Sequence, residues 1–191
     1  MKKTYFLGLI AFATMMTARA DIIPTLFSVT PTGPNFTWDY TGIVTNNQTV
    51  NAGDFFTIYD FGGYVAGSAV APLGWSVSVQ LLGITPSDVI PADDPSLFNL
   101  TWTYNGEVPI VGDSSLGGHF TAVSTFQDPT RDNFTAQATR SNGPQAGTKV
   151  DNIGMIDVPV PEMSALFPIL SVCGAGLLSL VPSFVRRRRD S

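Results

Sequence analysis

The chain has 191 residues, 44% of them hydrophobic and only 13% charged, which is enough for one ordinary domain and not for two large ones. Its formal net charge is −5, and between Asp21 and Val160 the imbalance deepens, with Arg131, Arg140 and Lys149 alone against twelve Asp and one Glu. A surface of that sign repels anionic lipid and excludes a binder of the phosphate backbone.

The chain opens with MKKTYFLGLIAFATMMTARA. Lys2 and Lys3 are followed by an apolar run over residues 5–16 and then by Ala18-Arg19-Ala20. A charged start, a short apolar run and an A-x-A site predict a signal peptide over residues 1–20, cut after Ala20 by signal peptidase. An uncleaved anchor is the alternative, although the apolar run is short for a bilayer. The expected product is an exported domain over residues 21–157. The one cysteine, Cys173, lies beyond that domain, so no intramolecular disulfide can staple the exported part. Its stability must come from a hydrophobic core.

Thr, Val and aromatic residues are plentiful in the body, and no stretch keeps apolar residues at helical spacing over three turns. Short alternating runs predict strands around residues 35–44, 54–61, 75–82, 97–104, 118–126, 133–140 and 152–158. In WSVSVQLL the alternation puts Trp75, Val77, Val79 and Leu81 on one side, with Ser76, Ser78 and Gln80 on the other. Turns are expected at TPTGPN, NNQ, APLGW, TPSDVIPADDPS and SNGPQAG. Seven strands at this spacing predict an all-β fold, a two-sheet sandwich of Ig-like or jelly-roll-like kind.

A shift of 64 positions lays residues 35–57 on 99–121 without a gap, with nine identities in 23 positions. Trp38 meets Trp102, Tyr40 meets Tyr104 and Phe56 meets Phe120. The expectation is a duplicated strand–turn–strand unit contributing equivalent strands; convergence of two hairpins is the alternative. Residues two apart share a strand face, so these aromatic pairs are expected in the core.

Catalytic chemistry is thinly represented. His119 is the only histidine, Ser114 and Ser115 lie in a glycine-bordered turn, and no G-x-S-x-G elbow occurs. A hydrolase would need His119 beside a Ser and an Asp, and a paired-carboxylate glycosidase would have one body glutamate, Glu107. Zinc lacks its nitrogen and sulfur ligands. No catalytic, metal or cofactor-binding residue is therefore assigned. Weak Ca²⁺ binding stays open at the aspartates Asp88, Asp93 and Asp94, with Asp54 and Asp60 supplied by a second stretch, although no D-x-D-x-D-G loop is present and solvated turn aspartates explain them better. Tyr59, Tyr64 and Trp75 are the candidate rings for stacking on sugar. Asn35, Asn47, Asn99 and Asn133 each begin an N-x-T sequon, with modification open at all four.

After the body come VPVPEM, 23 uncharged residues over 163–185, and the arginines Arg186, Arg187, Arg188 and Arg189. A helix of 23 residues at about 1.5 Å each covers roughly 30–35 Å, the hydrocarbon thickness, and the arginines hold its end in the cytoplasm. Cys173 within it fits a small apolar position, with acylation as the alternative. Val160-Pro161-Glu162, the apolar span and the arginine cluster together resemble the bacterial PEP-CTERM sorting signal over residues 158–191. The resemblance implies processing near Pro161 and Glu162 by an exosortase, a membrane-embedded protease. It also implies a surface or matrix role in exopolysaccharide-producing bacteria. Met163 stands where that family usually has a second proline, which leaves cleavage open. The function expected from the whole is a non-enzymatic exported protein of the cell surface or extracellular matrix, anchored by its tail before processing. The alternative is an exopolysaccharide-binding module.

Overall fold

The computed structural model describes residues 22–160. The expected signal peptide with Ala18 and Ala20 lies outside the described residues. So do Pro161, Glu162, the 163–185 span with Cys173, and Arg186, Arg187, Arg188 and Arg189.

Among the described residues the fold is all-β, with two antiparallel sheets and no helix. The strands in chain order are β1 (Ile22–Thr32), β2 (Asn35–Val44), β3 (Gln48–Val50), β4 (Phe55–Phe61), β5 (Trp75–Gln80) and β6 (Phe98–Tyr104). They continue with β7 (Ile110–Val111), β8 (Ser114–Ser115), β9 (Phe120–Ser124), β10 (Pro129–Arg140) and β11 (Lys149–Pro159). In the smaller sheet β1 pairs one edge of β2, and β8 and β9 share the other. The larger runs β5-β6-β4-β10-β11, with β3 continuing the lane of β4 beside β10 and β7 pairing β3.

Every stretch predicted as a strand contains one. The first strand, IIPTLFSVTPT, was not predicted, because Pro24 and Pro31 interrupt the pattern. It is tolerated because β1 is an edge strand of its sheet, where a missing N–H breaks no ladder on the open side.

Alternate residues from both sheets meet in one core. Trp38, Tyr40, Phe56, Ile58, Phe61, Leu100, Trp102, Phe120, Phe134, Ala136, Ile156 and Val158 belong to it. In β4 the parity breaks at Tyr59 and Asp60, where the register with β6 shifts between Ile58 and Phe61 and Asp60 takes φ 54°. This bulge turns Phe61 back to the core, where its ring meets Trp38 edge-on at 6.3 Å.

All seven residues of β4 are buried, so both faces of this central strand are covered. On the side away from the core the cover is the segment 81–97. Thr57 Oγ1 donates to Ile84 O at 2.6 Å and Ile84 N–H reaches Thr101 Oγ1 at 3.4 Å. Ala92 N–H donates to Asn133 Oδ1 at 2.6 Å, and Asp88 N–H to Asp151 Oδ2 at 3.2 Å. The segment turns its polar backbone inward onto a threonine-rich sheet face. It leaves Leu82 and Ile90 facing out, the latter 93% exposed.

The two similar segments interleave. The first places β2 in the smaller sheet and β4 in the larger; the second places β6 in the larger and β9 in the smaller. Each pairs with the other's opposite strand, β2 with β9 and β4 with β6. Phe120 sits opposite Tyr40, whereas Phe56 sits opposite Trp102. Under the 64-residue offset these registers differ by two residues, an even step that keeps every aromatic on the core side.

Candidate functional site

Of the tail residues Val158, Pro159 and Val160 are described: the first two belong to β11, and the Val160 N–H donates to Asp128 O at 3.0 Å. Just before it, Pro159 O accepts the N–H of Gly62 at 3.1 Å, so the end of β11 is fastened to the turn after β4.

Two of the three candidate stacking rings prove to be interior. Tyr59 is 0% exposed, and its hydroxyl is 2.6 Å from Thr85 Oγ1 and 3.1 Å from Thr135 Oγ1. Its ring lies under the 81–97 segment, and burial there raises its hydroxyl pKa. Trp75 is 8% exposed, with its indole N–H on Leu116 O at 3.1 Å and its ring edge-on to Phe120 at 5.0 Å. Neither offers a free face to a sugar. Parity placed Trp75 with Val77 and Val79, but that side is core at Trp75 and opens towards Val79; the strand stops at Gln80, leaving Leu81 exposed.

The third ring, Tyr64, does face an opening. A groove of about 440 Å³ is lined by Tyr64, Ala66, Ala69, Val77, Val79 and Phe98. It lies at the seam between the sheets: Val77 and Val79 come from the edge strand β5, while Tyr64 and Val70 bridge to β9. Tyr64 and Phe98 meet edge-on at 5.5 Å. The Tyr64 hydroxyl accepts Ala69 N–H at 3.4 Å, which leaves its O–H as the single polar side-chain group of the lining. Such a lining suits an apolar ring or chain better than a sugar, whose hydroxyls need several polar partners. Phe98 escaped sequence reading because its parity with Leu100 and Trp102 puts it on the core face, whereas at the first position of β6 it stands 39% exposed.

The aspartates divide into separate settings. Asp54 is fully buried; its carboxylate pairs with Lys149 Nζ, accepts Thr139 Oγ1 at 2.9 Å and accepts Asn51 N–H at 2.8 Å. Asp60 accepts Asp94 N–H at 2.9 Å, and Asn99 links Asp60 N–H to Asp93 Oδ1. Burial, reinforced by the charges of Asp132, Asp93 and Asp94, pushes Asp60 up to about 6. Asp94 is lowered by the backbone and hydroxyl of Ser96, which both donate to it. Asp88 is exposed and hydrogen-bonds Ser87. Among the described residues no three His, Cys, Asp or Glu side chains are grouped to hold a metal.

His119 is exposed, and its Nδ1 lies 2.8 Å from both oxygens of Asp39, 80 positions away in sequence. Pairing of β2 with β9 brings them together, and Phe27 packs edge-on against the imidazole at 5.1 Å. Among the described residues no serine hydroxyl is hydrogen-bonded to the ring. Ser114 and Ser115 instead pair with Val44 and Ile43 in the small sheet.

The sequons also differ. Asn99 is fully buried and its amide donates to Leu81 O at 3.2 Å, which closes it to modification after folding. Asn133 is engaged by Ala92 and by Met155. Asn35 sits at the β1–β2 turn, and Asn47 is exposed at φ 63°. No known protein family and no curated protein matches this chain.

Proposed function

We propose that this is a non-enzymatic exported protein of the bacterial cell surface or extracellular matrix, delivered by its leader and sorted through a PEP-CTERM-like tail. The observation that carries the reading is the order of segments in the sequence: Lys2, Lys3, an apolar run and Ala18-Arg19-Ala20 precede the all-β body, and Val160-Pro161-Glu162, an uncharged span and Arg186 to Arg189 follow it. A two-sheet sandwich, Ig-like or jelly-roll-like, with an internally duplicated unit, is the finer architecture we assign to residues 21–157. Signal peptidase and an exosortase-like protease are the expected partners, and the 163–185 span the anchor before processing. The acidic body keeps the domain soluble and away from anionic lipid.

The test is the intact mass of the protein from its native host, taken separately from envelope and culture medium. The reading expects a product starting at Asp21 and ending near Pro161 or Glu162. A product that keeps Arg186 to Arg189 in both fractions overturns the sorting role.

Exopolysaccharide binding remains as a second reading, favoured by Tyr64 alone, since it is the one candidate ring that faces a groove. Tyr64→Ala, which also removes the ring contacts with Phe61 and Phe98 and so lowers the melting temperature, should then weaken retention on the host polysaccharide when measured well below that temperature. Equal retention removes this reading.

A further inference from the structure

Asp54, Thr139 and Lys149 form a closed arrangement that the surface role does not require. Asp54 is held rigidly where the chain approaches β4: its N–H donates to Asn51 O at 2.9 Å and its carbonyl accepts Tyr104 N–H at 2.8 Å. Lys149 and Thr139 are direct partners across β11 and β10. Lys149 Nζ contacts Asp54 Oδ1 and donates to Thr139 Oγ1 at 3.0 Å, while that hydroxyl donates to Asp54 Oδ2 at 2.9 Å. Amine, hydroxyl and carboxyl thus close a ring, with the carboxyl wholly buried and the lysine side chain 45% exposed towards solvent.

We propose that Lys149 and Asp54 join in an intramolecular isopeptide bond. The amine of Lys149, freed of its extra proton, adds to Cγ of Asp54. The Thr139 hydroxyl passes a proton from the nitrogen to Oδ2, which leaves as water past the lysine stem. One C–N bond forms and one C–O bond breaks. The ammonium nitrogen loses two protons, the departing oxygen gains two, and nothing is oxidised or reduced. Fixed geometry supplies the encounter, since a well-oriented intramolecular pair reacts at an effective concentration far above any free amine. The product also replaces a wholly buried carboxylate by a neutral amide, removing the desolvation cost of that charge. The bond would tie the start of β4 to β11 across β10, a staple of 95 residues in a body that contains no cysteine.

The experiment uses the full chain, purified, fully denatured, weighed and digested with trypsin. The expected result is a mass one water below that of the linear chain with the same termini. Trypsin should leave the bond after Lys149 uncut, and a branched peptide should join Lys149 to the segment containing Asp54. Lys149→Arg, which keeps the cation, should restore the full mass; Thr139→Val should slow the water loss at least tenfold. A chain of full mass with ordinary cleavage after Lys149 overturns the proposal and leaves a plain ion pair. A water loss that survives in Lys149→Arg overturns it too, because it must then come from another site.

Discussion

Phe56 and Trp102 face each other across β4 and β6 with their rings stacked, centroids 5.2 Å apart and planes 23° from parallel. Phe120, from the opposite sheet, stands edge-on to both, at 5.0 Å from Phe56 and 5.8 Å from Trp102. This three-ring contact joins the two sheets at the centre of the core, and the indole N–H of Trp102 also holds Val70 O at 3.1 Å.

Trp102→Ala should therefore lower unfolding free energy by about 3–5 kcal/mol, the range for deleting a large buried aromatic. Trp102→Phe should cost less, because it keeps a ring against Phe56 and Phe120. Urea unfolding of the two variants measures the difference, and equal losses would mean that the indole hydrogen bond dominates the site.

Asp60 makes stability depend on pH in an unusual direction for a carboxylate. Its folded pKa, about 6, lies above the ordinary 3.8, so folding favours the protonated form. The stabilisation this gives is full below the ordinary value and is lost as pH rises through about 6. Asp60→Asn has no titrating group and still accepts the Asp94 N–H, and asparagine tolerates positive φ. Relative to that variant, the wild type should lose stability between pH 4 and pH 6 by no more than about 3 kcal/mol. Parallel unfolding curves at several pH values give the answer; a constant difference between the two proteins would refute the shift.

Tyr59→Phe removes the hydroxyl that ties the 81–97 segment to β10 through Thr85 and Thr135. The expected cost is about 1 kcal/mol, with faster proteolysis confined to residues 81–97. Global destabilisation without local cleavage would show that the segment does not open separately.

Gly62→Ala tests how the end of β11 is fastened. A Cβ there would lie 2.5 Å from Pro159 O, a backbone atom that cannot swing aside. The clash and the disturbed N–H bond to Pro159 should cost roughly 1–3 kcal/mol. Hydrogen exchange should rise at residues 156–160 first; unchanged exchange there would show that this turn does not secure the strand.

The strands were legible in the sequence because alternation is local. A residue's parity says which neighbours share its face, and WSVSVQ or NFTWDY shows this without knowledge of the partner strand. The aromatic core followed for the same reason: Trp38, Tyr40, Trp102 and Tyr104 lie where i, i+2 spacing puts them. Parity cannot say whether a face is covered. Tyr59 is on the side away from the core, and only the 81–97 segment, folded back over β4 and β6, buries it. Trp75 and Val79 share a face, yet one meets Phe120 and the other a groove, because the sheets part along β5. Asp54 reads as a turn aspartate until the β10–β11 pairing brings Thr139 and Lys149 to it from 85 and 95 positions away. Composition and local spacing determined the all-β class, the acidic charge and the placing of its strands. Tertiary structure alone decided which aspartates are paired and which rings are buried, because those depend on contacts between residues far apart in the chain.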